Sequence, residues 1–232
     1  MSAGAELPEP TRPLRAQYTA ELEQVRLQAE LMAVRVGAAV DGACEVLRSG
    51  DRELAARVVA GDDDIDAMLV SLTERCYDLI ARESPVASDL RLLVSVLRIL
   101  EELERIGDLS LRVVKQVDAY ELLAANREVL ATLQEMGDVA RTSYQIAVEA
   151  WATRDLDRAF ALVARARRMD GQYSTLLTRL LALDGADATA VAIAAVLVGR
   201  SLERIGDHAV VIGERLRYLL TGDASYLASE VR

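Results

Sequence analysis

Sliding the chain along itself by 104 positions sets Met32 on Met136, Ala43 on Ala147, Glu45 on Glu149 and Asp51 on Asp155. The register then holds without a gap: Ala55 meets Ala159, Val59 meets Val163, Asp66 meets Asp170, Leu72 meets Leu176 and Arg75 meets Arg179. One shortened turn changes the offset to 99, and Leu103-Glu104-Arg105-Ile106-Gly107-Asp108 falls on Leu202-Glu203-Arg204-Ile205-Gly206-Asp207. A chain that repeats itself in this way folds into two similar units. The repeat far exceeds the roughly 34 residues of a tetratricopeptide-type solenoid unit, so the expected architecture is two three-helix bundles side by side.

Local signals agree that both units are helical. Three of the four prolines, Pro8, Pro10 and Pro13, lie at the start and the fourth is Pro85, so most of the chain lacks its strongest helix breaker. Apolar residues recur at three- and four-residue steps, as in Leu93, Leu97, Leu100, Leu103 and in Val191, Ala195, Val198, Leu202, which predicts that these residues face the two cores. Breaks at Ser49-Gly50, Glu83-Ser84-Pro85, Asp118 to Asn126, Thr153-Arg154-Asp155, Asp184-Gly185-Ala186 and after Gly222 divide the chain into six helices. Asp51 and Asp155 stand where N-terminal acids belong, and Gly222 where a helix stops. The expected layout is a disordered extension over residues 1–13, a first bundle over 14–119 and a second over 122–221.

Composition narrows the function. With 52% hydrophobic residues and a mean hydropathy of +0.15 the chain can bury a sizeable core. A formal charge of -10 and no basic stripe with interleaved aromatics argue against nucleic acid as a partner. The longest uncharged stretch, Ala188 to Gly199, is too short for a bilayer, and the proline- and acid-containing first thirteen residues do not read as a secretory signal, so a cytoplasmic protein is expected. Cys44 and Cys76 lie in apolar helical patterns without metal or disulfide spacing, which predicts buried thiols. One histidine, His208, excludes sites that need several imidazoles. Chemistry must therefore run on carboxylates.

The repeated pentad Glu-Arg-Ile-Gly-Asp places two acids on one helix face, a like-charge pair costing roughly 0.2 to 0.5 kcal/mol, with a glycine that costs about 1 kcal/mol more than alanine. Bearing both costs twice makes sense if a cation sits against the acids and something approaches the glycine turn closely. Asp62 and Asp66 on the preceding helix can face Glu104 and Asp108, giving four convergent carboxylates; Asp170, Glu203 and Asp207 form the counterpart in the second unit. The bland reading is a solvated face with the ion-pair spacings Glu101 to Arg105 and Asp108 to Arg112, but the duplication favours a functional surface. All-oxygen ligands suit Mg, Ca, Mn or Fe better than a closed structural Zn site; a divalent or trivalent ion, Zn included, or a multinuclear carboxylate-bridged cluster stays open. His208 points off the centre of the acidic face, as an outer ligand, a structural residue or, on a third reading, a phospho-acceptor.

Ser84-Pro85-Val86-Ala87-Ser88-Asp89-Leu90-Arg91, the pentad ending at Asp108, and Ser201 to Ala209 followed by Leu219-Leu220-Thr221-Gly222 resemble the PhoU phosphate-signalling regulators from about Arg15 to Gly222. The resemblance implies two three-helix bundles, some members holding metal clusters on their acidic faces. It implies a non-enzymatic, cytoplasmic accessory of the phosphate ABC transporter, held peripherally at the membrane by protein partners. The implied function is negative regulation of phosphate uptake and of the starvation response, as an adaptor between the transporter ATPase and a sensor histidine kinase; a homodimer is expected. The chain departs from the family where Arg112 and Val211 replace a frequent Asn, and where Ala166 stands at the counterpart of Asp62. These departures predict a weaker second site and a positive charge beside the first. No nucleophile–base pair or phosphate-cradling glycine loop is evident, which favours an adaptor over a catalyst; a carboxylate-bridged metalloenzyme, a hydrolase or oxidase, is the alternative.

Overall fold

The computed structural model describes residues 14–231, with side chains from 16 to 227, and every regular element among them is a helix. The expected N-terminal extension lies outside the described residues. The first half consists of α1 (Leu14–Ser49), α2 (Arg52–Ala60), α3 (Asp62–Glu83) and α4 (Ala87–Val114). A 3-10 turn at Val117–Ala119 and the short α5 (Tyr120–Ala124) lead into α6 (Arg127–Thr153), α7 (Leu156–Leu181) and α8 (Ala188–Thr221), and a last 3-10 segment covers Ala224–Val231. Three long helical stretches per half reproduce the duplication read from the sequence.

Local chemistry sets several of these ends. Asp51 caps α2 by accepting from the backbone N–H groups of Glu53 and Leu54, and Asp155 caps α7 by accepting from that of Arg158. Gly222 ends α8 in the left-handed region, where glycine carries no steric penalty. One boundary departs from expectation: the stretch read as a single helix from Asp51 to Glu83 breaks at Gly61, and α3 restarts with Asp62, Asp63 and Asp64 in its first turn. Three acids there complement the exposed N–H groups and positive end of the helix. The second half has Arg165 at the position of Gly61, and α7 runs through unbroken.

The two halves do not keep separate cores. Buried apolar residues from both form one continuous cluster, and α4 and α8, the third long helices of each half, pack against each other while α1 packs on α6. Leu93, Leu100, Leu103, Val191, Ala195, Val198 and Leu202 are buried as expected, and Leu97 is half-buried against them. Both cysteines are buried and free, and burial pushes each thiol up to about 11, so neither is a thiolate at neutral pH. No helix among the described residues is long and apolar enough to cross a membrane.

Candidate functional site

In the first half the acidic site is built where the start of α3 crosses α4 at Gly107. A methyl group added there would lie 3.6 Å from Ile65 Cδ1 and 3.9 Å from Asp62 Oδ1, so Asp62 rests against the turn that carries Glu104 and Asp108. Burial pushes the Asp62 carboxyl up, and the charges of Asp66, Asp108 and Asp63 add to this while Lys115 opposes it. Glu104 is likewise raised by burial, then by Asp108, Asp66 and Asp62, with Arg105 opposing. Asp62, Asp66, Glu104 and Asp108 therefore share one negative field. Lys115 opposes the shift of Asp62 and Arg105 that of Glu104, and both, with Asp108 and Arg112, line a groove towards α8.

The second half repeats this arrangement with less charge. Gly206 faces Met169, the counterpart of Ile65, at 3.7 Å from its Cε. Asp207 is raised by desolvation and by Glu203 and Asp170, with Arg204 and Arg200 opposing. Glu203 is ion-paired to Arg200, at whose equivalent position in the first half stands Glu101. With Ala166 in place of Asp62 and one glutamate already neutralised, this face is the poorer cation acceptor.

Among the described residues no three His, Cys, Asp or Glu side chains stand where one ion could be held between them. The donor set on this face is carboxylate oxygen alone, the chemistry that suits a hard cation.

His208 belongs to neither acidic face. It is buried at the α4–α8 packing, with Nδ1 2.5 Å from Glu102 Oε2 and Nε2 3.5 Å from an Arg204 guanidinium nitrogen. The outer Glu102 oxygen, Oε1, receives Arg98 at 2.9 Å. This buried polar link between the halves is absent from the sequence reading. Its signal was a charged residue on the apolar stripe of α4, between Ile99 and Ile106 at three- and four-residue spacing.

These features define a duplicated helical-bundle protein whose halves each present a carboxylate face on the third long helix, the two helices packed back to back at the centre. The family model described as the PhoU domain matches residues 29–117 and 133–216, one match in each half, and the chain belongs to the PhoU family. It is 31% identical over 209 residues, 89% of this chain and 85% of the relative, to the phosphate-specific transport system accessory protein PhoU of Serratia marcescens. To the homolog from Pseudomonas aeruginosa it is 33% identical over 214 residues, 91% of this chain and 88% of that one. The crystal structure of PhoU from Pseudomonas aeruginosa superposes with a TM-score of 0.82 at 32% identity, over 89% of this chain and all of that one. The Streptococcus pneumoniae phosphate transport system regulatory protein PhoU shares the fold, with a TM-score of 0.77 at 23% identity, over 89% of this chain and 98% of that one. These relatives are named as accessory or regulatory proteins and not as enzymes.

Proposed function

We propose that this chain is a negative regulator of phosphate uptake and of the phosphate-starvation response, a non-enzymatic adaptor between the ATPase of a phosphate ABC transporter and a sensor histidine kinase. The observation that carries this reading is the pair of like-built acidic faces on a chain whose relatives are named as phosphate transport accessory proteins. A charged face of this kind steers and orients a partner more than it supplies raw affinity. Asp62, Asp66, Glu104 and Asp108 form the primary docking face, loaded with a divalent cation such as Mg²⁺, Mn²⁺, Fe²⁺ or Zn²⁺; Asp170, Glu203 and Asp207 form a secondary one. The adaptor works in the cytoplasm as a homodimer, at the membrane only through its protein partners. No observation favours the metalloenzyme alternative.

Deletion of the protein leaves starvation genes expressed in phosphate-rich medium. Glu104→Lys and Asp108→Lys each relieve repression while keeping wild-type helicity by circular dichroism, because both carboxylates are only partly buried and the core beneath is apolar. Full repression by both folded variants sinks the first acidic face as the docking surface.

A further inference from the structure

A groove of about 500 Å³ opens between α4 and α8, on the seam between the halves. Arg105, Arg112 and Lys115 line it from α4 and its end, Arg200 and Arg204 from α8, and Asp108 is the one carboxylate among its lining residues. Five cations against one acid is the reverse of the whole chain, which carries -10. Arg200 is engaged with Glu203 and Arg204 approaches His208, but Arg105, Arg112 and Lys115 make no ion pair within 4.0 Å among the described residues. Concentrating positive charge in a concavity, with three of its cations outside any ion pair, costs free energy that an incoming anion returns.

The lining also says what kind of anion. Guanidinium groups offer paired N–H donors that match phosphoryl oxygens, and here they come from two helices, so one ligand must span the groove to meet both sets. A chain of phosphoryl groups offers both sets more acceptor oxygens than a single phosphate does. Val196 and Leu197 give one wall an apolar surface with room for an organic portion. We propose that the α4–α8 groove binds a soluble oligophosphate, a small molecule carrying two or more linked phosphoryl groups, through Arg112, Lys115 and Arg105 on one side and Arg204 and Arg200 on the other. The site uses both halves of the duplication at once and is independent of the regulatory reading, since it needs neither the transporter nor the kinase.

The test is calorimetric titration of full-length protein, freed of metal on a chelating resin, with tripolyphosphate, ATP, inorganic phosphate and sulfate. One site per chain is expected for tripolyphosphate, with inorganic phosphate and sulfate at least about tenfold weaker. Arg112→Ala and, separately, Lys115→Ala weaken tripolyphosphate by about tenfold; both side chains are exposed, so circular dichroism stays unchanged. Arg167→Ala, an exposed arginine of α7 outside the groove, leaves affinity within about twofold. Lack of saturable binding overturns the proposal, as does an equal loss in Arg167→Ala, which would mean diffuse charge attraction. So does binding only to vesicles containing anionic lipid, or only to an acidic peptide, with tripolyphosphate unable to compete.

Discussion

Gly107 separates what folding requires from what the acidic face requires. The sequence suggested a glycine needed for close approach, yet the nearest atoms to a methyl at this position are Ile65 Cδ1 at 3.6 Å, Ile65 Cγ2 at 3.8 Å and Asp62 Oδ1 at 3.9 Å, ordinary contact distances. The packed helices therefore accept alanine. Gly107→Ala is expected to raise unfolding free energy by about 1 kcal/mol in a urea titration, the usual helix-interior gain. If a cation or partner presses on this turn, the same variant loses repression despite its stability. A destabilised Gly107→Ala would show instead that the backbone itself depends on glycine here.

At the level of helices, the crossing of α4 and α8 depends on a polar contact inside an apolar seam. Glu102 is 2% exposed and holds His208 and Arg98, so removing it strands the buried His208 and takes one of two carboxylate partners from Arg98. Glu102→Ala should cost about 3 kcal/mol, and the Glu102→Leu, His208→Leu pair much less than the sum of the single changes. Additive losses in that double-mutant cycle would mean the two side chains act separately. The helices themselves were readable in the sequence because apolar spacing and caps act locally: Asp51, Asp155 and Gly222 all do what their positions imply. The break at Gly61 was not, since the apolar period of Ala55 and Val58 carries on through it and only the run Asp62-Asp63-Asp64 marks a new start. The acidic face was legible because both its pairs lie at helical spacing and the duplication repeats the pentad. The contact of Glu102 with His208 was not, because they are 106 residues apart and meet only through the packing of one half on the other.

For the molecule as a whole, charge sets how stability responds to pH. Asp62, Glu104 and Asp207 hold their protons more tightly folded than unfolded, so above the ordinary carboxylate range the native state binds more protons than the denatured one. Stability from these groups is present below that range and is lost as pH rises through their raised values. Glu23 is lowered by its hydrogen bond with Arg26, and Asp155 by the backbone N–H of Arg158; they act the other way, losing their contribution as pH falls through their lowered values. Metal-free protein is therefore expected to lose this contribution as pH rises from the ordinary carboxylate range through the raised values of these three groups. Glu104→Gln with Asp207→Asn should flatten that fall in denaturation curves taken across pH, and Mg²⁺ at neutral pH should restore the wild type more than the double variant. Equal slopes for the two proteins would place the repulsion elsewhere.

The Glu102–His208 contact also bears on how such a gene can be rearranged. The offset of 99 maps Glu102 onto Ser201 and His208 onto Leu109, so a small hydroxyl and a leucine stand at the mirror positions, both lining the same groove. The ancestral repeat has thus become a lock and a key. A protein assembled from two first halves would face each buried glutamate with a leucine, and one assembled from two second halves would leave each histidine opposite a serine. Shuffling or recombination that doubles one half is therefore penalised even where the outer faces look alike, and the presence of one half of each kind has become heritable information.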